Sequence, residues 1–127
     1  RIEVIRRRDA YETDTDAFMA HWQAEDAKVR DAILAARDRL RQTDSPEAIL
    51  KDCAGLSLAL GTDGLRGELT LLRAARALAA FDGAAAITRD HLRAVAPLAL
   101  SHRLRRDPLD EAGSVARVTR TVADVLG

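Results

Sequence analysis

Six stretches of the chain place apolar residues at helical spacing, and none alternates in the manner of a strand. The first predicted helix runs from about Ile2 to Tyr11, with Ile2 and Ile5 on one face and Arg6, Arg7 and Arg8 crowding its far end. Thr13, Asp14, Thr15 and Asp16 are all residues that cap helices, so a second helix is expected over about Asp16 to Arg41. Trp22, Val29, Ile33, Ala36 and Leu40 form one apolar stripe along it, and Asp26 and Arg30 are spaced to pair on its outer face. Such a helix would be roughly 39 Å long, against a radius of gyration of about 14 Å for a globule of this size. It is therefore expected to span the body or project beyond it.

Ser45-Pro46-Glu47 predicts the start of a third helix, with Ser as N-cap, Pro in the first helical position and an acid in the first turn. Ile49, Cys53, Leu56 and Leu60 make its inner stripe, and Gly61 is the expected left-handed stop. A fourth helix follows from about Gly64 to Phe81. Leu65, Leu71, Leu72, Ala75, Leu78 and Ala79 share its inner face, and Arg66, Arg73 and Ala77 face the other way. Thr88 should cap a fifth helix, stapled by Ile87 and Leu92, with Leu92, Val95, Ala96, Ala99 and Leu100 buried. Pro97 is expected to kink it near Arg93. Asp107-Pro108 breaks the chain before a last helix from about Ser114 to Leu126, whose inner face is Val115, Val118, Val122 and Val125. The predicted fold class is all-α: a helical bundle over residues 45–127, preceded by a connecting helix and a long helical extension over residues 1–44.

Composition sharpens this. Of 127 residues, 47 % are hydrophobic and only 3 % aromatic, which suits helices and not a β-sandwich or barrel. Twenty basic residues balance twenty acidic ones, which argues against a dedicated nucleic-acid binder or a membrane-surface protein. A single cysteine, Cys53, excludes a disulfide framework and a thiolate zinc site and points to a reducing, cytoplasmic setting. No apolar run approaches the ~20 residues of a membrane span. The chain opens at Arg1 in a stretch that already reads as mid-helix, so a piece of a longer protein is expected.

Candidate chemistry is sparse. No glycine-rich phosphate loop ends in Lys-Ser/Thr, and no nucleophile–histidine set stands at motif spacing. His21 and Glu25 share a helix face but lack further metal ligands nearby, and Trp22 reads as a core anchor. Cys53 lies on an apolar stripe and reads as a core thiol. Arg6 to Arg8 and Arg103 to Arg106 stand beside Asp9, Asp107, Asp110 and Glu111, and no aromatic is interleaved for base stacking, so a solvated face or an interdomain contact is the better reading. Arg66 stands out. It falls in the first turn of the fourth helix, between Gly64 and Gly67, where free backbone N–H groups, the helix dipole and a guanidinium together can hold an anion and the glycines leave a ligand room to approach. An ordinary surface arginine fits the same pattern.

The run from Gly61 to Gly83, with its Asp-Gly-Leu-Arg-Gly-Glu core at 63–68, resembles the C-terminal lid of AAA+ ATPases of the magnesium chelatase group. Ile-Thr-Arg-Asp-His-Leu at 87–92 and Ser-His-Arg-Leu-Arg-Arg-Asp-Pro-Leu-Asp-Glu at 101–111 are similar to two further lid motifs. The opening Arg-Ile-Glu-Val-Ile-Arg-Arg-Arg and the long helical stretch to Arg41 resemble the motor, or I, subunits within that group. The resemblance implies a great deal. Those enzymes use ATP hydrolysis to insert Mg²⁺ into protoporphyrin IX on the way to chlorophylls. Arg66 would be the sensor 2 arginine, reaching the γ-phosphate of ATP and acting with an ATPase core that binds most of the nucleotide and its Mg²⁺. The implied partners are that core, a homo-oligomeric ring of typically six subunits, an AAA+-like D subunit and a porphyrin-binding H subunit, with no nucleic acid and no membrane span. The long helix would pack between subunits or against partners. The phosphate loop, the acidic Mg²⁺-ATP residue and the arginine finger are missing from this sequence, so the chain alone is expected to be inert. Two alternatives remain: the lid of a related chaperone-like AAA+ ATPase, and a free-standing helical module that binds protein.

Overall fold

The computed structural model describes residues 1–62, 64–104 and 113–127. Its contacts resolve two compact units, Arg1–Ala35 and Ala36–Gly127. The fold is all-α: the described residues form six α-helices and one 3-10 turn, and extended pairing among them is limited to a single bridge between Asp44 and Ala86.

The first unit is built from α1 (Ile2–Thr13) and most of α2 (Thr15–Arg39). Asp14 breaks the helix with extended backbone at φ −150°, ψ 93°, and its Oδ1 accepts the N–H of Ala17 at 2.9 Å. Of the four cap-type residues there, Asp14 is the one that caps α2. The rings of Tyr11 and Phe18 meet edge-on at 5.6 Å, Phe18 leans on Trp22 at 6.1 Å, and the Arg7 guanidinium lies 4.2 Å above the Trp22 ring. Trp22 therefore ties α1 to α2 across the Asp14 break and does not anchor a core. No residue of α1 is buried. The expected stripe on α2 is largely uncovered: Val29 is 56 % exposed, Ile33 47 % and Leu40 37 %, and only Ala36 is buried. Arg30 approaches its neighbour Asp31 at 3.6 Å and does not make the expected pair with Asp26.

The second unit holds α3 (Glu47–Leu60), α4 (Leu65–Phe81), α5 (Arg89–Leu100), a 3-10 turn (Ser101–Arg103) and α6 (Gly113–Leu126). Helix α4 packs on α5, α5 on α6, α6 on α3 and α3 on α4, so the four close around one core. Leu56, Leu60, Leu71, Leu92, Leu100 and Val118 are its largest fully enclosed apolar side chains. Ile87 and Leu92 are both buried, as a staple requires. Helix α5 runs unbroken from Arg89 to Leu100, with Pro97 in its last turn.

Three expectations are corrected. Leu65 is 70 % exposed, because it sits in the first turn of α4 ahead of the first core residue, Leu71. Val115 is exposed, and α6 buries Val118, Val122 and Leu126 at strict four-residue spacing. Ser45 does not cap α3: the helix starts at Glu47 after Pro46, and Ser45 Oγ accepts a 2.7 Å hydrogen bond from Arg76 Nη2 of α4. The guanidinium outbids the α3 amides for that oxygen because a charged donor makes the stronger bond.

Arginines close three of the helix ends. Arg39 donates from Nε to the Ala80 carbonyl at 2.9 Å and from Nη2 to that of Phe81 at 3.3 Å. Arg93 donates to the carbonyls of Leu126 and Gly127 at 3.0 and 2.8 Å, and Arg117 reaches that of Leu60 at 3.5 Å. Each adds a charged donor to carbonyls at a helix C-terminus and meets the negative end of its dipole. Beyond Arg39, Asp44 exchanges backbone hydrogen bonds with Ala85 and Ile87 at 2.9 and 3.0 Å. These ties join the stretch from Ala36 to Asp44 to the bundle, so the contacts divide the chain at Ala35, nine residues ahead of a boundary drawn after residue 44.

Candidate functional site

Helix α3 ends on Gly61 in the left-handed conformation, and the chain enters α4 through Gly64 at φ 69°, ψ 173°. That combination is open essentially to glycine alone. As the N-cap, Gly64 has no side chain to offer the first-turn amides of α4, the pattern of an anion-receiving helix start. Arg66 is exposed, one residue inside this turn, and Thr70 Oγ1 donates to its carbonyl at 2.7 Å. No ion pair among the described residues involves its guanidinium.

Arg66 borders a cleft of about 310 Å³ whose other walls are Thr62, Gly67, His102 and Arg103. The 3-10 turn after α5 brings the last two residues to the start of α4. Two guanidiniums, an imidazole and a hydroxyl line this cleft, none of its described lining residues is a carboxylate, and such donors suit an anion. Gly67 plays a different part from the one its spacing suggests. A Cβ there would stand 3.1 Å from Thr62 Oγ1 and 3.8 Å from Leu100 Cδ2, so the glycine makes room for these neighbouring side chains. Thr62 is held in place by its own N–H and hydroxyl, which both donate to the Ser57 carbonyl, at 3.1 and 3.2 Å.

The sequence marks Arg66 but misses its company. His102 and Arg103 read as cations at a helix end, and only the packing of α5 against α4 shows that this end faces Arg66. Arg105, Arg106, Asp107 and Pro108 lie outside the described residues, as does Asp63. The other basic cluster is paired: Arg6 and Arg7 both bond Glu3, and Arg8 bonds Glu12. His21 stands edge-on to Trp22 at 5.2 Å, and Glu25 accepts from Lys28 at 2.7 Å. Among the described residues no three His, Cys, Asp or Glu side chains gather to hold a metal ion.

Cys53 is buried, as a core thiol should be. Burial, and after it the negative charges of Asp52 and Glu68, push its thiol up to about 11, so it stays protonated and unreactive near neutrality. Asp52 also grips Arg89 through bonds of 2.7 and 3.1 Å, joining α3 to α5 and holding that guanidinium above its usual range through the hydrogen bond first and the charge second.

Relatives carry the same segment. The chain is 68 % identical over 126 residues to the magnesium-chelatase 38 kDa subunit of Cereibacter sphaeroides, covering 99 % of this chain and 38 % of that protein. It is 63 % identical over 126 residues to the protein of the same name in Rhodobacter capsulatus, covering 99 % of this chain and 36 % of the relative. Against the chloroplastic magnesium-chelatase subunit ChlI of Chlamydomonas reinhardtii it is 32 % identical over 127 residues, all of this chain and 30 % of the relative. The chain thus spans a little over a third of the length of its more similar relatives. None of its described helices is long and apolar enough to cross a membrane. Residues 50–122, from within α3 into α6 and including the whole start of α4, match the AAA lid domain. With four helices closed around one core and a family match over more than half its length, the chain belongs to the AAA lid domain family.

Proposed function

We propose that this chain is the lid of the ATP-hydrolysing motor subunit of a magnesium chelatase, the enzyme that inserts Mg²⁺ into protoporphyrin IX for chlorophyll or bacteriochlorophyll synthesis. Its high identity to magnesium-chelatase 38 kDa subunits along its whole length supports the assignment. In this reading Arg66 is the sensor 2 arginine. It contacts the γ-phosphate of ATP bound by a core that lies outside this chain, in the part of the relatives' length the chain does not span. The observation that carries the role is the exposure of Arg66 at a glycine-capped helix start, in a cleft with no acidic residue among its described lining.

The residues present suit a polyphosphate. A guanidinium and first-turn amides are the donors that phosphoryl oxygens need, and a charge-assisted bond to phosphate is about twice as strong as a neutral one. They do not suit the Mg²⁺ that accompanies ATP, since no acidic cluster stands nearby among the described residues. Bound ATP supplies a phosphoryl group that is lost on hydrolysis. Arg66 senses that loss because its partner charge departs, which changes the relative stability of two lid positions. The same reading gives the chain a ring of its own kind, typically six subunits, and contacts with the D and H subunits of the enzyme. The exposed apolar face of α2 is surface available for such contacts.

The test is Arg66→Ala in the full-length protein. ATP hydrolysis should fall by at least about tenfold, the loss of one charge-assisted contact, while ring assembly in gel filtration persists. Normal hydrolysis in that variant rejects the sensor role. The chain alone should hydrolyse no ATP above background.

A further inference from the structure

Arg103 shares the cleft with Arg66, yet it comes from a different element, the 3-10 turn that follows α5. Its side chain is partly buried, and its Nε is shut off from solvent without a hydrogen-bond partner among the described residues. A charged N–H donor out of water and without an acceptor is a costly arrangement. Two guanidiniums facing one small cleft, with no carboxylate among its described lining residues, add mutual repulsion. The repulsion is relieved if the cleft receives an anion carrying more than one charge, bound by the ends of the two guanidiniums. Thr62 and His102 complete the wall, one with a hydroxyl and one with a ring nitrogen that can donate.

We propose that Arg103 is a second phosphate-binding residue of this lid. With Arg66 it forms a two-arginine clamp on the terminal phosphoryl groups of a nucleoside triphosphate, and His102 stands at its rim. The inference rests on the ATP-sensing role given to Arg66 and adds to it. A single arginine at the end of one helix reports the phosphate to α4 alone. A clamp closed by residues of α4 and of the turn after α5 ties those two elements to the same ligand, and α4 and α5 pack directly on each other. The phosphate would then bear on the packing between the two helices and not only on one side chain.

The experiment titrates the chain with inorganic tripolyphosphate at constant ionic strength and follows backbone amides and arginine Nε–H signals by NMR. In the unaltered chain the Nε–H signals of Arg66 and Arg103 and the amide of Gly67 should move together along one saturation curve. Arg103→Gln should weaken binding about tenfold, the loss of one charge-assisted contact, and Arg103→Lys should recover part of it by restoring the charge without the fork. Arg66→Gln should weaken binding by a similar factor. If Arg66→Gln weakens binding and Arg103→Gln does not, the clamp is wrong and the Arg66 reading stands. If neither variant matters, or no signal in the cleft moves, both fall. If Arg103→Gln does not fold, the Arg103 Nε–H signal of the unaltered chain decides: a signal that stays still while Gly67 shifts overturns the clamp.

Discussion

The two units of this chain are made of the same helices-and-arginines vocabulary and are held together in different ways. In Ala36–Gly127 sixteen of the described apolar residues pack into one core, and arginines reach across to the carbonyl ends of other helices. In Arg1–Ala35 no side chain of α1 is buried, and the arginines bond carboxylates one turn away on their own helix. Such exposed pairs contribute only about 0.3–0.5 kcal/mol each. A helix of twelve residues is marginal in water without tertiary packing. The difference teaches where an arginine counts. The same side chain is a minor local brace on α1 and a long-range fastener in the bundle, depending on whether its partner is a solvated carboxylate or a half-buried carbonyl.

The largest effect should come from the core. Leu92→Ala removes a fully enclosed side chain and is expected to destabilise the bundle by about 2–5 kcal/mol in urea unfolding. Ile33→Ala, at a position 47 % exposed on α2, should cost less than about 1 kcal/mol. Equal losses would erase the distinction between the units. Next is Cys53. Its thiol is pushed from 9.0 to about 11 in the folded state, so the benefit of burying it uncharged is complete below pH 9. As pH rises from about 9 to about 11 the unfolded thiol ionises while the folded one keeps its proton, and stability should fall by something on the order of 2 kcal/mol. Comparison with Cys53→Ala isolates this: the alkaline decline must be shallower in the variant. Arg39→Ala should then cost about 1–2 kcal/mol through two lost bonds to the end of α4. An unchanged midpoint would show that the last turn of α2 is not part of the bundle's cooperative unit.

The elements of the bundle were legible because their signals are local. The left-handed stop at Gly61, the cap at Thr88 with its Ile87–Leu92 staple, and the buried stripe Ile49–Cys53–Leu56–Leu60 all depend on residues within one or two turns. What could not be read depends on long-range competition. Ser45 looks like an N-cap until Arg76, thirty-one residues on, takes its hydroxyl. The stripe on α2 looks like a core face because periodicity records which residues share a side and not whether anything covers that side. The candidate site divides along the same line. Arg66 is visible from its glycines and its place at a helix start, whereas His102 and Arg103 join it only through the packing of α5 on α4. Gly67 shows the limit of reading by residue type, since room for a neighbouring side chain and room for a ligand call for the same residue.

The smallest expected effect is the most pointed, because it asks whether α1 is held by its charges or by an aromatic ring. Arg7 does both, bonding Glu3 at 2.8 Å and lying 4.2 Å over Trp22. A cation over a ring at an exposed site contributes about 0.5–1 kcal/mol and is less sensitive to salt than the solvated ion pair. Trp22 is the only tryptophan, so its fluorescence reports this unit alone. Arg7→Ala should shift that fluorescence and speed amide exchange across residues 2–13, while the unfolding midpoint of residues 36–127 stays where it is. Glu3→Ala should do much less, and high salt should reproduce Glu3→Ala and not Arg7→Ala. If salt alone frees α1 as fully as Arg7→Ala does, the ring is a bystander. If Arg7→Ala also lowers the midpoint of the bundle, the first unit is not energetically separate from it, and α2 then transmits the stability of one unit to the other.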